Sequence, residues 1–133
     1  MLNNTLLIND FPSVSIYKYE DKYLYFEIKE GACYDLDEMI AVTEFMLPFV
    51  REEGRRFFIT DLRISFLKFT EEAQVWNANF ELAKTLRFRN ALLVNNVFMQ
   101  VLTNLFIRLK KPNIPTKCFI NEIEAKKWLN SVD

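Results

Sequence analysis

Apolar and polar positions along the chain follow two different periods. Residues 13–20 and 23–29 are rich in Val, Ile, Tyr and Phe, with polar Glu20, Asp21 and Lys22 between them. This predicts two strands joined by a turn and paired as an antiparallel hairpin. In the second strand Leu24, Phe26 and Ile28 alternate with Tyr23, Tyr25 and Glu27, so one face is wholly apolar and the other amphipathic. Residues 1–12 show no clear period and are expected to form an N-terminal arm or a short edge segment.

From residue 35 the period lengthens. Asp35 with Glu38 three residues later reads as a capping box, and Gly54 stands where a helix end calls for a left-handed residue. Between them Leu36, Met39, Ile40, Thr43, Met46, Leu47 and Val50 trace a helical stripe, and Pro48 predicts a kink or a broken last turn near Glu44. Residues 56–62, with the run Phe57-Phe58-Ile59, predict a strand buried on both faces. Thr70 precedes Glu71 and Glu72 as the cap of a second helix whose inner face holds Ala73, Trp76, Phe80 and Ala83. Residues 90–94 and 117–120 read as further buried strands, residues 96–109 and 123–129 as helices, the last with Ala125, Trp128 and Leu129 facing in. The order is β-β-α-β-α-β-α-β-α. Strands alternating with helices after the hairpin imply parallel pairing, so the expected fold is a single α/β domain with a mixed sheet covered by helices.

Composition narrows the function classes. The chain has 133 residues, half of them apolar, thirteen Phe and only two Gly, which suits one well-packed domain. Net charge is −1, giving no overall attraction to nucleic acid. No apolar run approaches the ~20 residues of a membrane-spanning helix, and no signal-peptide pattern opens the chain. A cytoplasmic location is the expectation. There is no His, and Cys33 and Cys118 are far apart, so no metal, cofactor or Cys-His nucleophile is expected, and both thiols read as buried and reduced. No phosphate loop or nucleophile elbow is present, and acid pairs such as Asp35/Asp37 and Glu71/Glu72 stand at helix starts, where the backbone dipole favours them. The chain is expected not to be an enzyme.

The element order resembles the SpoIIAA-like fold, shared by bacterial anti-sigma factor antagonists and the STAS domains of sulfate transporters. The carboxyl half carries the resemblance: Arg89-Asn90-Ala91-Leu92-Leu93-Val94, an apolar helix, Lys117-Cys118-Phe119-Ile120 and Glu124-Ala125-Lys126-Lys127-Trp128-Leu129. That ending is similar to small SpoIIAA-like proteins that have been compared with CRAL-TRIO lipid-transfer domains. In the antagonists the strand ending in Asp-Leu is followed by an Asp-Ser-x-Gly turn bearing a phosphorylated Ser. Here Asp61-Leu62-Arg63 is followed by Ile64-Ser65-Phe66-Leu67-Lys68-Phe69-Thr70. Ser65 or Thr70 would stand near the phosphosite without matching its motif.

Four features are candidates for function. Asp61 closes a buried strand, where open α/β sheets place their ligands, or it bonds the following loop. Ser65, Phe66, Leu67 and Phe69 lie in a connection too apolar for an ordinary loop, acting as a lid on the core or a contact surface. The third helix is apolar around more than one face: Phe98, Val101, Leu102, Leu105 and Leu109 are enough to cover a sheet, leaving Met99, Phe106 and Ile107 for a neighbouring helix, a second copy of the chain or a lipid pocket. Basic residues, among them Arg55, Arg56, Arg87, Arg89, Lys110 and Lys111, collect by topology at one end of the sheet, as helix dipoles or an acidic partner or membrane surface would require. The leading expectation is a regulatory module acting by contact with another protein. Its rival is a carrier or sensor of a lipid or small hydrophobic ligand.

Overall fold

The structure, a computed structural model, describes residues 5–131. Its six-stranded sheet runs in the order β1 (Thr5–Asp10), β2 (Val14–Tyr19), β3 (Tyr23–Ile28), β5 (Phe57–Asp61), β7 (Arg89–Leu93) and β8 (Thr116–Phe119). The first three strands pair antiparallel and the rest parallel, so the architecture is α/β with a mixed sheet. The segment expected as an arm or a short edge segment is the edge strand β1 from Thr5 onward, with a register irregularity between Leu7 and Asn9. Residues 1–4 lie outside the described residues. A second, two-stranded parallel sheet joins β4 (Cys33–Tyr34) to β6 (Lys68–Phe69). Strands this short carry no periodic signal, because two residues cannot show alternation.

Helix α1 (Leu36–Glu53) begins and ends where its caps dictate. The Glu38 N–H donates to Asp35 Oδ1 at 2.8 Å, and Gly54 adopts φ +70°. Glu38 itself does not complete the capping box: its carboxylate accepts from the Ser13 N–H at 2.7 Å and the Ser13 hydroxyl at 2.8 Å, tying the helix start to the sheet. The helix continues through Pro48. The expected second helix is two pieces, α2 (Glu71–Ala78) and α3 (Leu82–Thr85). The side-chain Nδ2 of Asn79 turns back to donate to the Val75 carbonyl at 2.9 Å, the local competition that makes Asn a poor helix interior residue. Helices α4 (Val97–Lys110) and α5 (Glu122–Leu129) complete the chain.

Strand alternation divides the core in two. One sheet face presents Ile16, Leu24, Phe26, Ile28 and Phe58 to α1, α2 and α3, and the other presents Tyr19, Tyr23, Ile59, Ala91 and Leu93 to α5. The second face closes fully, with Ala125 and Leu129 completely buried. Lys126 of α5 reaches Glu20 Oε2 at 2.5 Å and Glu122 Oε2 at 3.1 Å, holding the hairpin turn against the helix.

Candidate functional site: an apolar cavity walled by α4

The first sheet face is not filled. Between it and the helices lies a cavity of about 730 Å³. Its floor is Phe26, Phe58, Thr60, Asn90 and Leu92 from the sheet, its ceiling Met39, Val42 and Met46 of α1, and its far wall Met99, Phe106 and Ile107 of α4. Phe66, Leu67 and Phe69 border it as well. Polar groups within are sparse, and one pair is already satisfied: the Thr60 hydroxyl donates to Asn90 Oδ1 at 2.8 Å. Lys110 is the one charged residue among those lining it.

The orientation of α4 creates this space and reverses a sequence expectation. Phe98, Val101, Leu105 and Leu109 do not cover the sheet; all are exposed, Phe98 by 72% and Leu109 by 74%, and Leu102 of the same expected set is exposed at the cavity border. Met99, Phe106 and Ile107, expected to pack elsewhere, line the cavity instead. The physical cause is a pair of amides one helical turn apart. Strand β8 is the edge of the sheet, and an edge leaves backbone groups unpaired. Asn104 supplies the missing neighbour: its Oδ1 accepts the Cys118 N–H at 2.9 Å and its Nδ2 donates to the Cys118 carbonyl at 3.1 Å. Gln100 Nε2 donates to the same carbonyl at 3.3 Å. With Gln100 and Asn104 fixed on β8, α4 lies along the sheet edge rather than over its face. Two amides at i and i+4 in an otherwise apolar helix were the available sequence signal.

The loop residues divide their roles. Phe66 is 47% exposed at the cavity border, while Leu67 and Phe69 are half-buried against the core. Ser65 accepts the Gly31 N–H at 3.2 Å and donates to the Phe66 carbonyl at 3.2 Å. Thr70 is the N-cap of α2, its Oγ1 accepting the Ala73 N–H at 3.2 Å.

Asp61 is buried and engaged. Arg63 Nε donates to Oδ1 at 2.9 Å, Arg63 NH2 to Oδ2 at 2.8 Å and Tyr25 OH to Oδ2 at 2.7 Å. Burial works to raise its pKa, but the Arg63 and Tyr25 bonds outweigh it and hold the carboxyl below its ordinary value. The Tyr25 hydroxyl is pushed up by burial and by Asp61. Asp61 alternates to the face opposite the cavity, beside Tyr25, so it and the apolar loop residues do not form one site.

The basic face loses two members. Arg55 is buried, its NH1 donating to the carbonyls of Glu20 at 3.1 Å and Tyr23 at 2.8 Å; it clamps the hairpin turn. Arg89 is buried with its guanidinium 4.2 Å over the Trp128 ring. Arg56 is half-buried and donates to the Arg87 carbonyl at 2.9 Å, whereas Arg87, Lys110 and Lys111 are exposed. Cys33, expected to be buried, is exposed, and Cys118 is buried with its thiol pKa raised by that burial. Among the described residues no cluster of His, Cys, Asp and Glu could hold a metal, and no helix is long and apolar enough to cross a membrane.

Fold and cavity together define a small α/β domain with one closed sheet face and one face opened by an edge-mounted helix. The chain belongs to the family described as Domain of unknown function (DUF7793), whose model matches residues 17–133. No curated protein and no solved structure matches it.

Proposed function

We propose that this domain, of SpoIIAA-like architecture, binds a small hydrophobic molecule in the cavity between its sheet and α4, as a carrier or sensor. The observation that supports the reading is the cavity itself. Its volume of about 730 Å³ falls within the ~300–1,000 Å³ of ligand sites. Exposed Phe66, Leu102 and Phe106 on its border leave the space open to entry, and a lining this apolar favours an apolar guest over ordered water.

The test is extraction of the purified chain followed by mass spectrometry, together with titration of a fluorescent fatty-acid probe. A co-purifying apolar compound and saturable probe uptake are expected. Leu92→Trp combined with Thr103→Phe, both filling the cavity, should weaken uptake while the far-ultraviolet circular dichroism stays unchanged. Unaltered uptake by the filled variant, or none by the wild type, refutes the proposal. The regulatory reading, contact with a protein partner, retains support from exposed Ile64 and Phe66. Ile64→Ser, outside the cavity lining, should then abolish partner binding while probe uptake persists.

A further inference from the structure

The outer side of α4 is assigned to nothing in the fold or in the cavity. Phe98, Val101, Leu105 and Leu109 recur at helical spacing and are all exposed, forming a stripe about 17 Å long at ~1.5 Å per residue. The other two sides of the helix are engaged, one with Cys118 through Gln100 and Asn104, the other with the cavity. Turning the stripe inward would break the hydrogen bonds that cover the β8 edge. Continuous apolar surface of this extent marks a contact site.

Charge selects the occupant. No Asp or Glu occurs anywhere in α4, and its last turn carries Arg108 and Lys110, with Lys111 following as the cap. A second copy packed in parallel sets two basic ends together. Packed antiparallel, each basic end meets the partner helix's N-terminus, where the helix dipole is positive too. Neither arrangement supplies an anion. An anionic lipid surface offers an apolar layer for the stripe and headgroup charge for the cations at the helix's basic end. The geometry points to α4 as a membrane-surface helix, lying in the interface of an anionic bilayer with its outer stripe inserted. Leu102 and Phe106, exposed residues that also line the cavity, would then set the cavity rim at the lipid. This inference goes beyond ligand binding and stands without it, since the stripe is present whether or not the cavity is occupied.

Flotation of the full chain with vesicles tests it, using phosphatidylcholine alone and phosphatidylcholine mixed with phosphatidylglycerol. Binding is expected to the mixed vesicles, to fall as salt is raised, and to drop roughly tenfold or more in Phe98→Ser combined with Leu109→Ser. Both residues are exposed and outside the cavity, so uptake of the soluble fatty-acid probe should be unchanged. Arg108→Gln with Lys111→Gln should weaken binding to the mixed vesicles alone. The inference is overturned by absence of binding, by equal binding to both vesicles, or by binding that survives the serine pair. It is also overturned if the chain sediments as a dimer that the serine pair dissociates and no vesicle binding is seen. Probe uptake measured without vesicles separates the two proposals, because failure of either leaves the other's readout intact.

Discussion

Removing the Asn104 side chain isolates the interaction that orients α4. In Asn104→Ala the Cys118 N–H loses its 2.9 Å acceptor, while the Cys118 carbonyl keeps the 3.3 Å bond from Gln100. One lost hydrogen bond is worth about 0.5–1.5 kcal/mol net, with a further penalty where the donor stays half-buried, so a loss of about 1–2 kcal/mol is expected. Adding Gln100→Ala strips the carbonyl as well and should raise the loss to about 2–3 kcal/mol. At a urea slope of ~1–3 kcal/mol per M, the single variant shifts the midpoint by roughly 0.3–2 M. Native-state hydrogen exchange supplies the local readout: the Cys118 amide should exchange faster in Asn104→Ala, while the Ile59 amide in the central strand follows the global stability alone. Asn104→Asp is the sharper probe. Its carboxylate accepts the N–H but opposes the carbonyl, and protonation restores a donor, so the variant should approach wild-type stability in acid. An unchanged midpoint with unchanged Cys118 exchange would refute the view that these amides fix the helix on the sheet edge.

Other expectations follow from the engaged charges and caps. Asp61→Asn should cost about 1–2 kcal/mol at neutral pH, after allowance for solvent around Arg63. Because the folded pKa of Asp61 lies below its ordinary value, that contribution is complete above about pH 5 and is lost as pH falls through the folded pKa, so urea midpoints of wild type and variant should converge in acid. Arg55→Met, leaving the turn carbonyls of Glu20 and Tyr23 without their donor, should cost about 2–4 kcal/mol, while Arg56→Met changes the melting free energy by less than about 1 kcal/mol; equal effects would return Arg55 to the surface. Gly54→Ala meets no atom within 4 Å of the added Cβ, so thermal unfolding should report only the left-handed backbone penalty of about 1–2 kcal/mol.

Local chemistry was written plainly in the chain. Asp35 and Gly54 mark the ends of α1, and Thr70 the start of α2, because caps act within a turn of helix and need no distant partner. The alternation of Leu24, Phe26 and Ile28 with Tyr23 and Tyr25 fixed which residues face which layer, since the strand period is two whatever the neighbours. Hairpin followed by strand-helix units determined the mixed sheet in the same way. Tertiary structure alone decided how α4 sits. Its apolar periodicity names a greasy side but not what that side touches, and the choice was made by Gln100 and Asn104 pairing with backbone groups that become an edge only after the whole sheet has assembled. Burial of Arg55 and Arg89, exposure of Cys33 and the cavity itself have the same origin: each depends on where segments distant in sequence meet.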